Sequence, residues 1–243
     1  MLLLGLLVGF IGAGGSGFII AILTVGFGVP IHTALGTSLA AMVFTTLSGA
    51  YSHYRQGNID LKTGLTVGVF GAIASFWGSK IAVWIPVDSL HWLTAGMLFL
   101  SAVMLLFRLF IVNKISDAGV TNPRRGVQLI RAVHVGGITG ILSGTFGIGS
   151  APFIQLGLMI TLGLSVQKSV GTTMLVILPI AMAGGIGYYF EGYFDVVLLL
   201  QVLAGTMVGS YIGAKFTNNV PLPILKSAMV LTPVMAGAIL LIK

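Results

Sequence analysis

Apolar residues run almost unbroken along this chain, and short polar clusters cut the run into eight segments. The apolar stretches cover roughly residues 2–29, 33–54, 63–86 and 90–111, then 133–164, 168–190, 194–218 and 222–242. Between the fourth and fifth lies a polar stretch, Asn113 to Arg131, holding Lys114, Asp117, Asn122, Pro123, Arg124 and Arg125. About 20 apolar residues carry a helix across a bilayer, so six of the eight segments predict ordinary transmembrane helices. The first and fifth differ. Residues 12–17 read GAGGSG and residues 147–152 read GIGSAP. Glycine weakens a helix by about 1 kcal/mol per residue relative to alanine, and Pro152 removes a backbone donor. Each of these two segments is predicted to break near its middle. Broken backbone survives at membrane depth only when buried in protein or lining a cavity.

The pattern occurs twice. Laying residues 1–108 on 136–243 without a gap aligns Gly5 with Gly140, Gly9 with Gly144, Gly12 with Gly147 and Gly14 with Gly149. The register holds through Gly36-Thr37 and Gly171-Thr172, Gly49 and Gly184, Gly57 and Gly192, Asp60 and Asp195, and Lys80 and Lys215. The expected fold is an all-α integral membrane protein of two tandem homologous repeats. Repeat one spans 1–112, a polar linker 113–131, and repeat two 132–243. Each repeat is one broken segment plus three transmembrane helices. Two copies of one membrane unit are a common build of secondary transporters, with substrate held where the copies meet.

Composition agrees with a lipid surround. The chain is 56% hydrophobic and 7% charged, where soluble domains average roughly 25% charged residues. The expected location is the cell membrane, multi-pass, with lipid as a partner. The apolar N-terminus lacks a basic start and recurs at residues 136–162, so it reads as fold rather than signal peptide. Cysteine is absent, which excludes disulfides and thiolate chemistry.

Net charge is +7, from 12 Lys+Arg against 5 Asp+Glu. With no soluble basic face, this is a topology signal and not a nucleic-acid footprint. If the broken segments turn back as re-entrant hairpins, each repeat has three full spans and the repeats are inverted. Arg55, Lys62, Arg108, Lys114, Arg124, Arg125, Arg131, Lys168, Lys215 and Lys226 then share one side, leaving Lys80 and Lys243 on the other. If the segments cross, the repeats are parallel, and Lys168, Lys215 and Lys226 leave the basic side. The bias favours the inverted arrangement, with the linker cytoplasmic.

Candidate chemistry gathers around the breaks. Gly12, Gly14, Gly15 and Ser16 precede Thr37 and Ser38 in repeat one; Gly147, Gly149 and Ser150 precede Thr172 and Thr173 in repeat two. Each hydroxyl either bonds its own helix's carbonyls or faces a pore. Together with free amides and helix N-termini, they suit an anion. The expectation is one pocket near the bilayer midplane in which the two sets face each other, and valine at Thr37 or Thr172 is expected to weaken transport. Lys80 and Lys215 either reach the substrate or snorkel to headgroups. His53 reads as a capping or interfacial histidine, since Tyr188 holds its equivalent position. Asp60 and Asp195, each following a glycine turn, read as helix caps. All five acids, Asp60, Asp88, Asp117, Glu191 and Asp195, fall in predicted loops, so no catalytic residue, metal or cofactor is expected. Gly14-Gly15-Ser16-Gly17 beside His53 or His134 invites comparison with an intramembrane serine protease, but Ala151 stands where the second copy would need a serine.

The chain resembles the sulfite exporter TauE/SafE family. The residues that carry the likeness are a glycine-rich break, the phrase Pro30…Ala34-Leu35-Gly36-Thr37-Ser38, then Gly57-Asn58…Asp60, then Gly78-Ser79-Lys80 before Pro86, all repeated. Repeat two departs at Ser165 for Pro30, Tyr193 for Asn58, and Ser150 for a glycine of the break. The resemblance implies transport of small sulfur-containing anions such as sulfite, thiosulfate, sulfoacetate or other organosulfonates. Alternating access is the expected mechanism, with an anion channel as rival and a non-transporting scaffold as the remaining alternative. A proton can travel on the substrate itself, and a homo-oligomer is compatible with the sequence.

Overall fold

The apolar segments become helices. The computed structural model describes residues 16–115, 125–148, 150–217 and 222–242 and is helical throughout, with no strand among them. Helix α1 is Ser16–Ala21, prolonged by a π-helical turn over Ile22–Gly26. Then follow α2 (Ile31–Arg55), α3 (Leu61–Trp84), α4 (Val87–Ile115), α5 (Arg125–Phe146), α6 (Ala151–Ile160), α7 (Val166–Phe190), α8 (Val196–Thr217) and α9 (Leu222–Leu241). Five of them, α2, α3, α4, α5 and α7, contain apolar stretches long enough to cross a membrane. On α3, Leu65, Val69, Ile73, Trp77 and Ile81 recur every four residues, all exposed. Such a stripe is at home only in lipid. Helix runs into both ends of the predicted linker, since α4 continues to Ile115 and α5 begins at Arg125.

Two hairpin turns share one design. At the end of α2, Gly57 adopts φ +71°, Gly57 N donates to Tyr54 O, and Asn58 N to His53 O. At the end of α7, Gly192 adopts φ +79°, and Tyr193 N donates to Tyr188 O. A glycine in left-handed backbone closes the helix and satisfies its last carbonyls. The next helix is then capped by an aspartate, Asp60 Oδ1 accepting from Thr63 N and Asp195 Oδ1 from Leu198 N, each at 3.0 Å.

The fifth apolar segment is broken where the glycines and Pro152 predict. Helix α5 ends at Phe146, Gly147 has φ +66° and Ser150 φ 47°. Helix α6 restarts at Ala151 with Pro152 in its first turn, where a missing N–H costs nothing. The chain then folds back. A β-carbon at Gly157 would sit 2.7 Å from Val135 Cγ1, and Arg131 Nη1 donates to Thr161 O at 2.9 Å. Helix α6 therefore runs antiparallel to α5 as a hairpin.

Close backbone approach joins the helices. On α5, a β-carbon at Gly136, Gly140 or Gly144 would collide with the carbonyl oxygens of Val67, Gly71 and Ser75 on α3. Lipid offers no hydrophobic drive between apolar helices, so small residues that allow backbone contact hold them together. These contacts advance in the same direction on both helices, so α3 and α5 are parallel. Helix α7 also runs parallel to α3, with Gly64 against Leu175, Gly68 against Pro179 and Gly71 against Ile180. Helices α2 and α7 are antiparallel: Gly36 packs on Tyr188, Leu39 on Gly184, and Gly49 on Met174.

Candidate functional site

The break after α5 gathers hydroxyls from both ends of the sequence. Ser16 Oγ, at the start of α1, donates to Ile148 O at 3.0 Å. Ser38 Oγ on α2 donates to Ser16 O at 3.2 Å and lies 3.4 Å from Gly147 O. Gly147 has no side chain because a β-carbon there would press into Leu35 of α2. Around this knot, three buried hydroxyls have no hydrogen-bond partner among the described residues: Thr37, Ser143 and Ser150. Thr37 is 0% exposed and Ser150 1%. A buried polar group without a partner costs about 1–3 kcal/mol, and such groups call for an explanation. Ser150 is the N-cap residue of α6, yet its left-handed backbone leaves the side chain without a cap bond. Its hydroxyl and the positive end of α6 are thus both available at the break.

The equivalent hydroxyls of the second half are already engaged. Thr172 Oγ1 accepts from Asp60 N at 3.0 Å, and Thr173 Oγ1 donates to Ser169 O at 2.7 Å. Nor do they face Thr37 and Ser38 across one pocket, as the sequence led us to expect. Gly49, where Met174 packs, is eleven residues along α2 from Ser38. At 1.5 Å per residue the pairs lie about 16 Å apart along the helices. The physical reason is that α2 and α7 are antiparallel, so equivalent phrases lie toward opposite ends. Gly12, Gly14, Gly15 and Gly149 lie outside the described residues.

Lys80 reaches a carboxylate. Its Nζ sits 2.7 Å from Glu191 Oε1, in the turn after α7, and 5.4 Å from the Phe76 ring centre. Both side chains are about one-third exposed, so the pair contributes no more than about 1 kcal/mol. Lys215 belongs to α8, and its side chain lies outside the described residues. Two buried groups near the same end escaped the sequence reading. His32 Nε2 is 3.0 Å from Ala82 O, with its ring 4.8 Å from that of Tyr193. Tyr188 donates to Thr145 O at 3.2 Å, and Thr145 Oγ1 donates to Gly78 O at 3.1 Å. Ser143 was legible only in hindsight, as the serine one helical turn before Gly147.

Relatives of this chain are named as probable membrane transporters. It is 62% identical over 241 residues to the probable membrane transporter protein YdhB of Bacillus subtilis, covering 99% of this chain and 97% of that one. It is 26% identical over 239 residues to the probable membrane transporter protein MJ0441 of Methanocaldococcus jannaschii, covering 90% of this chain and 86% of that one. A third relative, the probable membrane transporter protein YjnA of Bacillus subtilis, is 26% identical over 245 residues, covering 95% and 94%. No solved structure matches. The model of the family described as sulfite exporter TauE/SafE matches residues 1–240. On that match, and on the apolar helices it spans, this multi-pass membrane protein belongs to the sulfite exporter TauE/SafE family.

Proposed function

We propose that the chain is a secondary transporter that moves small sulfur-containing anions across the cell membrane by alternating access. The observation that carries this reading is a pair of buried hydroxyls with no partner among the described residues: Ser150 at the first turn of α6, and Thr37 next to Ser38, whose hydroxyl reaches Gly147 O at the break. One comes from each half of the sequence. Hydroxyl donors and a helix N-terminus are suited to the oxygens of a sulfite or sulfonate group.

Inverted repeats fit the packing. Leu39 meets Gly184, and Met174, 135 residues after Leu39, meets Gly49, 135 residues before Gly184. Likewise Gly36 approaches Tyr193 O, and Gly171 approaches Asn58 O. Such reciprocal contacts are the mark of a two-fold axis. Because α2 and α7 are antiparallel spans, that axis lies in the membrane plane, the geometry of inverted repeats. The fold-back of α6 on α5 supports a re-entrant hairpin in the second half. Helices α3, α5 and α7 start at one end, which gathers Lys62, Arg131 and Lys168 on the basic side that the sequence predicts to be cytoplasmic.

The two halves also differ in state. Thr172 accepts from the Asp60 amide, while Thr37 has no partner among the described residues. Equivalent residues in unequal states are what a carrier needs if its halves exchange roles between outward- and inward-open forms. Counterflow in proteoliposomes tests the reading. Labelled sulfite should be taken up faster when unlabelled sulfite is trapped inside, and the rate should saturate. Unsaturable current at high unitary rate would support the channel instead, and no flux at all would support the scaffold.

A further inference from the structure

We infer that the site admits anion headgroups carrying a single negative charge, a sulfonate or the protonated form of sulfite, and rejects dianions such as sulfate. This rests on the transport reading above and narrows it. The stretches around the site are uncharged by sequence. No Asp, Glu, Lys or Arg occurs from Met1 to Tyr54, from Ala132 to Gln167, or from Ser169 to Phe190. These stretches supply α1, nearly all of α2, most of α5, the break, α6 and all of α7 except Lys168 in its first turn. Lys80, which the sequence offered as a substrate partner, is taken by Glu191 at 2.7 Å. Among the described residues, the unpartnered groups at or next to the break are neutral: the hydroxyls of Thr37, Ser143 and Ser150, with the first turn of α6.

Charge decides the balance. The cost of taking an ion out of water rises with the square of its charge, so a dianion costs about four times what a monoanion does. The attraction of neutral hydroxyls and of a helix terminus, worth about half a positive charge, rises only in proportion to charge. A site with no full cation among its described residues can offset the desolvation of one negative charge far better than that of two. The hydroxyls add a second preference. Each can accept as well as donate, so a ligand bearing its own proton can be met by Thr37 or Ser150, which have no other partner among the described residues. A proton then crosses bound to sulfite, with no side-chain carboxylate required to relay it.

The test is flux through the full chain in proteoliposomes, corrected for protein-free liposomes, with three probes at equal concentration: methanesulfonate, sulfate and sulfite. Methanesulfonate should move at a rate that does not change across neutral pH, and sulfate at least tenfold more slowly. Sulfite flux should fall about tenfold per pH unit on the alkaline side, following its protonated form. Sulfate moving as fast as methanesulfonate, or sulfite flux that holds or rises with alkalinity, overturns this inference and leaves the transport reading standing. Folded protein that moves none of the three overturns both.

Discussion

Replacing Gly144 with alanine is expected to destabilise the protein severely, while the same change at Gly137 on the same helix is expected to be tolerated. One methyl group at Gly144 would enter the space of the Ser75 carbonyl on α3, where both neighbours are backbone and neither can swing aside. Overpacking costs typically 1–3 kcal/mol, and a backbone-to-backbone clash belongs at or above the upper end of that range. At Gly137 a β-carbon meets nothing within 4 Å. There alanine gains helix propensity worth up to about 1 kcal/mol. Thermal unfolding in detergent checks the pair: the midpoint should drop for Gly144→Ala and hold or rise for Gly137→Ala. Equal midpoints would mean that α3 and α5 do not touch through their backbones.

Thr37→Val and Thr172→Val should fail in opposite ways. Valine keeps the volume of threonine and deletes the hydroxyl. At position 37 that hydroxyl is buried and bonds to nothing among the described residues. Its loss should leave the midpoint unchanged or raise it, because an unsatisfied polar group has been removed. Transport should nevertheless collapse, by tenfold or more, if the group is kept for the anion. At position 172 the hydroxyl accepts from the Asp60 amide. Valine there strands a partly buried N–H and should cost about 1–3 kcal/mol. A stable, fully active Thr37→Val protein would remove Thr37 from the site. This divergence departs from what the sequence suggests, where the two threonines occupy equivalent positions and look interchangeable.

Much of the architecture was readable because lipid leaves few options. The spans follow from length and apolarity, and the break at 147–150 from its glycines, Ser150 and the Pro152 that follows. Asp60 and Asp195 could be read as caps because each follows a glycine turn at the same spacing. The pairing of helices was harder to read. A soluble helix reveals its buried face by a polar opposite face, whereas a span apolar on all sides does not. The glycines of α5 hint at a contact, yet nothing in their spacing names α3 as the partner. The same gap misplaced the hydroxyls: Thr37 and Thr172 were set face to face, and the antiparallel crossing of α2 and α7 holds their pairs about 16 Å apart. Lys80 could be matched with Glu191 only in three dimensions, because 111 residues separate them. Whether a hydroxyl is free or bonded to a neighbour, the difference between Thr37 and Thr173, is likewise a property of the folded chain.

The most direct test of the central claim, that Thr37 and Ser150 line the anion's path, uses the absence of cysteine from the chain. Thr37→Cys and Ser150→Cys would each introduce a single thiol, with Val69→Cys, exposed on the outer stripe of α3, as the lipid-facing control. Reconstituted protein would be treated with a membrane-impermeant thiol reagent, with and without methanesulfonate. The account predicts that positions 37 and 150 react with the aqueous reagent, that methanesulfonate slows both reactions several-fold, and that position 69 does not react. Thiols at 37 and 150 that never react, or that react at the same rate whether or not the anion is present, would contradict it.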